Sequence, residues 1–194
     1  MWPELIKSFV LLFIIIDPFI SAVVFINYSK KSDEKEKNRA IWTAILVAAG
    51  LLFIFLFSGM FLLTVLGINF NSFKIAGGII LLILGVTSVL GIALNKNKGD
   101  VKSAAILIGT PLLSGPGALT TIIILSREYG YAIPAIAAFM VIVLSYIILK
   151  YSYLIEKVIS SEIIEILSKV LGLLLASLAV DFIQQGISGF IAGI

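Results

Sequence analysis

The chain alternates long apolar runs with short polar links. Six runs are long enough to cross a bilayer as helices: about 5–27, 41–65, 73–93, 103–126, 131–154 and 167–192. The longest polar stretch, YSKKSDEKEKNR at 28–39, is expected to be a solvated loop between the first two. A second polar link, 155–169, carries Ile155, Val158, Ile159, Ile163, Ile166 and Leu167 on one helical face. That pattern predicts a short helix lying at the membrane interface. The expected fold is therefore an all-α membrane protein forming a single transmembrane domain over residues 1–194.

Composition strengthens this picture. Sixty per cent of the 194 residues are hydrophobic and 13% are charged, about half the charged fraction of a typical soluble domain. There is no cysteine and no histidine. This excludes a disulfide framework, a Cys/His zinc site and any Ser–His or Cys–His nucleophile. The N-terminal MWPELIKS has no basic n-region, so the first run is expected to be a retained span. The net charge of +3 points to no nucleic-acid partner, but its distribution sets an orientation. Eleven of the fourteen basic residues fall in the links after spans 1, 3 and 5, while Lys7, Lys74 and Arg127 fall on the other side. The positive-inside rule then places both termini on the extracytoplasmic side of the cell (inner) membrane.

Two apolar runs are interrupted. Asp17-Pro18 sits inside IIIDPFISAVVFI, and GTPLLSGPGALTTII at 109–123 echoes it. Proline cannot continue a helix but suits the first position of a new one, and Asp and Thr are good caps. Both Asp17-Pro18 and Thr110-Pro111 thus read as the end of one half-helix and the start of another. A shift of 93 residues lays DPFISA over TPLLSG, and a shift of 95 lays Lys74 on Lys169 and Gly77 on Gly172. An alternative register pairs Asp17-Pro18 with Gly115-Pro116. The expectation is two inverted repeats of three spans, about 1–95 and 96–194, with broken helices 1 and 4. Folds of this kind build a mid-membrane site from the broken helices.

The free amides at such helix starts attract anions. Candidate substrate-binding residues are therefore Asp17, Pro18, Ser21, Thr110, Pro111, Ser114, Gly115, Pro116, Gly117 and Thr120. Asp181, in LAVDFIQQG, joins them as a second acid that the pattern puts near the centre of span 6. Asp17 also suits an ammonium group or a coupling ion, Na+ or H+. Structural roles compete at each position: Asp17 as a plain helix cap, Gly115-Pro116-Gly117 as a packing kink, and Gly77, Gly78, Gly85 and Gly172 as close helix contacts.

These segments resemble the MarC family of six-span membrane proteins. The resemblance is carried by IDPF in span 1, AGGIILLILG (76–85), TPLLSGPGALTT (110–121) and LGLLLASLAVDFIQQGI (171–187). It implies a secondary transporter of small neutral amino acids driven by an ion gradient and working by alternating access. No enzyme activity and no cofactor is expected, and homo-oligomerisation stays open. Two departures stand out. The family motif Asp-Pro-x-Gly-Asn-x-Pro is here Asp17-Pro18-Phe19-Ile20-Ser21-Ala22-Val23, and Asp181 replaces a glutamine. Export of other small metabolites, a channel, and an intramembrane aspartyl protease using Asp17 and Asp181 are the competing readings.

Overall fold

A computed structural model describes residues 2–29, 32–91, 109, 113–158 and 161–192. Among them the secondary structure is entirely helical. We number the helices α1 (Trp2–Ile16), α2 (Pro18–Ser29), α3 (Glu34–Val65), α4 (Phe70–Val89), α5 (Pro116–Tyr129), α6 (Ala132–Lys150), α7 (Ser152–Val158) and α8 (Ser161–Ile191). Five segments of the described residues are long and apolar enough to cross a membrane: Trp2–Asn27, Glu34–Val65, Phe70–Val89, Ala132–Lys150 and Ile166–Ile191. Much of the remaining expected span, 103–126, lies outside the described residues, and its described part is the 14-residue α5.

Two links differ from expectation. The polar run at 28–39 is largely helical rather than a loop. Asp33 caps α3 by accepting a hydrogen bond from the Glu36 amide at 2.7 Å. Glu34 and Glu36 in the first turn suit the positive end of the helix, so α3 starts seven residues before the apolar run. Of the interfacial helix expected over 155–169, residues 159 and 160 lie outside the described residues. Its start belongs to α7, and from Ser161 onward the chain has entered α8.

The layering is that of a membrane protein. Large apolar side chains such as Phe57, Phe61, Ile83, Leu173 and Ile191 are exposed, where acyl chains would cover them. The interior is built around the interrupted segment α1–α2 and around α5, in which Gly117, Ala118 and Thr120 to Ser126 are all buried. Helix α3 packs on α5 and α6, α1 on α5 and α6, α4 on α5, and α8 on α1 and α2.

The closest helix pair is α4 with α8, which run antiparallel. Asn71, Gly78 and Gly85 recur every seven residues on α4 and meet Gly186, Ala179 and Gly172 on α8. Small residues at such spacing let backbones approach closely, which is how helices associate where water supplies no hydrophobic drive. A Cβ at Gly85 would lie 2.7 Å from the Ala176 nitrogen and 2.8 Å from the Gly172 oxygen. Those are backbone atoms that cannot swing aside. Gly77 serves a different neighbour, since a side chain there would collide with Thr120 of α5.

This packing has a direct test. Gly85→Ala is expected to destabilise the detergent-solubilised protein by about 1–3 kcal/mol through overpacking. Gly50→Ala, where a Cβ meets nothing within 4 Å, is expected to gain about 0.5–1 kcal/mol from helix propensity. Thermal melts of the two variants beside the parent protein measure the contrast.

Candidate functional site

The first interruption is built by Asp17. It is the one non-glycine residue with positive φ among the described residues, at 38°. Asp tolerates this region because its short polar side chain can bond locally. Its Oδ1 accepts the Ile20 amide at 3.2 Å, and the Phe19 amide also points to the carboxylate. The backbone N–H of Asp17 still donates to the Phe13 carbonyl at 3.1 Å. α1 therefore closes on Asp17 and α2 opens from it, with Pro18 at a position that needs no N–H. Ser21 is fully buried, and its hydroxyl donates back to the Asp17 carbonyl at 3.4 Å. Pro18 is buried, while Asp17 keeps some accessible surface. α1 begins at Trp2, so Asp17 lies roughly 22 Å along it at 1.5 Å per residue.

The second interruption is chemically different. α5 starts at Pro116 with Gly115 extended before it, and no side chain caps this end. Pro116 has no N–H, so the amides of Gly117 and Ala118 are the leftover donors of the first turn. Both residues are buried, whereas Pro116 itself is exposed. Ser114, buried, donates its hydroxyl to the Gly109 carbonyl at 2.6 Å, and Thr120 donates to the Pro116 carbonyl at 2.8 Å. Thr110 and Pro111 lie outside the described residues.

The two interruptions come together. A Cβ on Gly117 would sit 3.4 Å from Cγ2 of Ile15, two residues before Asp17, and 2.5 Å from Cδ2 of Leu81 on α4. The first turn of α5 thus abuts the last turn of α1. Two buried hydroxyls on these helices have no hydrogen-bond partner: Ser8 on α1 and Thr121 on α5.

Asp181 belongs elsewhere. It is exposed on α8 and accepts a hydrogen bond from Gln185 Nε2 at 2.8 Å. Gln185 in turn accepts from Lys74 Nζ at 2.7 Å, and Lys74 pairs with Glu128 at 2.6 Å. Lys7 lies beside Tyr129 and within electrostatic reach of Glu128 and Asp181. Arg127 stacks over Phe70 at 4.5 Å. The three basic residues expected on the sparse side thus gather at one end of the bundle, with Asp181 among them rather than among the interior groups.

Asp17 has a neighbour the sequence did not mark. Ser168 of α8 is 3% exposed, and its hydroxyl lies beside the Asp17 carboxylate. From Ser168 to Asp181 is thirteen residues, roughly 20 Å of helix. Asp17 and Asp181 are therefore too far apart to act as a carboxylate pair. Ser168 fell in the stretch expected to lie at the interface, and neither apolar periodicity nor the repeat singled it out. Glu128 and Gln185 were equally silent, because a pattern on one helix does not reveal a partner on another.

The description "MarC family integral membrane protein" matches residues 2–191. A UPF0056 membrane protein of Archaeoglobus fulgidus is 30% identical, covering 93% of this chain and 91% of its own. UPF0056 membrane protein YhcE of Escherichia coli K12 is 28% identical, covering 100% and 96%. One from Buchnera aphidicola of Schizaphis graminum is 28% identical, covering 96% and 97%. No solved structure matches the chain.

The polar network at the end of the bundle yields its own test. Lys74 is 8% exposed, and a buried cation tied to a carboxylate is costly to leave half-paired. A double-mutant cycle of Lys74→Ala and Glu128→Ala on the thermal stability of the protein is expected to give a coupling of about 1–3 kcal/mol, with the double variant more stable than the sum of the single losses implies.

Proposed function

The chain belongs to the MarC family of integral, multi-pass membrane proteins, and on that basis we propose that it is a secondary transporter, not an enzyme, whose substrate is a small neutral amino acid held at the meeting of α1, α2 and α5. One observation carries this reading: the two helix starts are electrically opposite. The α2 start is occupied by the Asp17 carboxylate, and the α5 start offers uncapped amides at Gly117 and Ala118. A zwitterion complements such a pair. Its carboxylate suits the α5 start, and the charge of Asp17 faces a cation, either the substrate ammonium or a coupling ion.

Alternating access fits the way the helices pack. We take the chain as six spans in two inverted repeats, with α1–α2 matched to span 4, α3 to α6, and α4 to α8. Exchange the halves and several of the contacts map onto others that are present, although α5 on α6 has no comparable counterpart between α1–α2 and α3 among the described residues. α3 on α5 corresponds to α6 on α1, and α4 on α5 corresponds to α8 on α1 and α2; α3 with α6, α1 with α5 and α4 with α8 map onto themselves. Such repeats rock about a site near the membrane middle. The basic links then face the cytoplasm and both termini face outward. Gly117 leaves little room against Ile15 and Leu81, which favours a side chain no larger than those of glycine, alanine or serine.

Uptake of labelled alanine into proteoliposomes tests the proposal. Transport is expected to saturate and to be competed by glycine and serine. Alaninamide, which keeps the ammonium but has no carboxylate, is expected to compete at least tenfold less well. Asp17→Asn is expected to abolish transport. Flux that rises without saturation would instead mark a channel, and equal competition by alaninamide would remove the α5 start as the carboxylate site.

A further inference from the structure

We infer that the seam between α3 and α6, at the end of the bundle where α3 begins, binds a phospholipid with an anionic headgroup. Two helix faces build it. On α3, Lys35, Arg39, Trp42 and Leu46 recur at i, i+4, i+7 and i+11, the spacing of one helical face. On α6, Val143, Tyr146 and Lys150 recur at i, i+3 and i+7. The two helices pack on each other, and two ring contacts set their register. Trp42 meets Tyr146 at 5.0 Å between centroids, and Phe57 meets Tyr131 at 5.8 Å, so the helices run antiparallel. Arg39 and Lys150 therefore both lie about one turn outward from the Trp42–Tyr146 rings, and Leu46 and Val143 about one turn inward. Lys35 lies a further turn out.

From the end of the bundle inward, the seam presents cations, then two rings, then apolar side chains. A phospholipid presents its phosphate, glycerol esters and acyl chains in the same order. The cations are uncompensated: Lys35, Arg39 and Lys150 form no ion pair among the described residues. The nearby acids are used elsewhere or stand apart. Asp33 caps α3, Glu34 pairs with Lys37 at 3.6 Å, and Glu36 joins none of the three cations. Lys150 rests over the Tyr146 and Tyr151 rings at 5.6 and 5.9 Å, which orders the ammonium without neutralising its charge. The Trp42 indole N–H and the Tyr146 hydroxyl make no hydrogen bond among the described residues. Both are donors at the depth of the ester carbonyls. Leu46 and Val143 are exposed and face acyl chains. A free phosphate would use the first layer alone, whereas a lipid uses all three. The other lysine–tyrosine contact of this end differs. Lys37 rests over Tyr153 at 4.2 Å but is held by Glu34, and the Tyr153 hydroxyl pairs with Ser29 at 2.7 Å. That corner is satisfied within the protein. The positive-inside rule expects this end in the cytoplasmic leaflet, where anionic lipids concentrate.

Lipid binding here is independent of the transport reading and is tested without a transported substrate. Trp2→Phe leaves Trp42 as the single tryptophan, and brominated acyl chains quench a tryptophan they touch. This full-length protein is reconstituted in vesicles mixing phosphatidylcholine and phosphatidylglycerol, with one lipid or the other brominated. Trp42 quenching then gives the relative affinity of the two lipids at the seam. Phosphatidylglycerol is expected to be favoured roughly fivefold or more, equivalent to about 1 kcal/mol. Arg39→Gln with Lys150→Gln is expected to bring the ratio below about twofold, and about 1 M NaCl to do the same without them, because salt screens exposed charges. Lys37→Gln is expected to keep the original ratio. Inorganic phosphate at matched ionic strength is expected to leave the quenching unchanged. Equal affinity for the two lipids would overturn the site, as would an undiminished preference in the double variant. A loss in Lys37→Gln as large as in the double variant would also overturn it, by marking a general basic surface. Displacement by inorganic phosphate would overturn the lipid as occupant. If the double variant fails to fold, the salt arm decides, and a preference that survives about 1 M NaCl overturns the site.

Discussion

Inside a bilayer, each backbone N–H and C=O must find a partner within the protein or in something the protein binds. An uninterrupted helix meets that demand by itself. A helix broken in its interior does not, and the break at Asp17 determines much of the surrounding structure. One residue in the left-handed region ends α1, starts α2, and turns two amides toward its own carboxylate. What remains is a charge and a set of carbonyls in a region where water is scarce. The helices packed around the break are also among the most enclosed parts of the bundle, with α5 buried from Thr120 to Ser126.

Small residues make the enclosure feasible. The heptad of Asn71, Gly78 and Gly85 against Gly186, Ala179 and Gly172 brings α4 and α8 into backbone contact. That draws Ser168 toward Asp17 on one side, while Gly77 and Leu81 seat α5 on the other. The same pair of helices carries the Lys74–Glu128–Gln185–Asp181 network at its far end. The Lys74–Glu128–Gln185–Asp181 network therefore stands apart from the interior groups at the two interruptions. Asp17 and Asp181 thus have different surroundings although both stand in apolar sequence.

Much of this was legible in the sequence because proline and glycine have few structural options. Asp17-Pro18 announced a helix end and start, which stand at Ile16 and Pro18; of the second break, only the helix start at Pro116 falls among the described residues, and Thr110-Pro111 lies outside them. The length of apolar runs gave the membrane segments, apart from span 4, which the described residues cover only in part. Errors arose where polarity was taken for the absence of structure. Glu34 to Arg39 are polar and helical, because Asp33 caps them and they extend an apolar helix into the aqueous boundary. Asp181 does stand near the middle of the apolar segment Ile166–Ile191, but its side chain is exposed and joins Gln185 and Lys74 rather than Asp17. Ser168 was invisible because its meaning comes from Asp17, 151 positions away in sequence.

The central claim is that the two helix interruptions form one site for a zwitterion. An experimental structure of the protein with alanine bound tests it most directly. The account predicts the alanine carboxylate within about 3 Å of the Gly117 and Ala118 amides, on the same side of the core as Asp17. Alanine held instead at the Lys74–Glu128 network, or anywhere that leaves the α5 start empty, would contradict it.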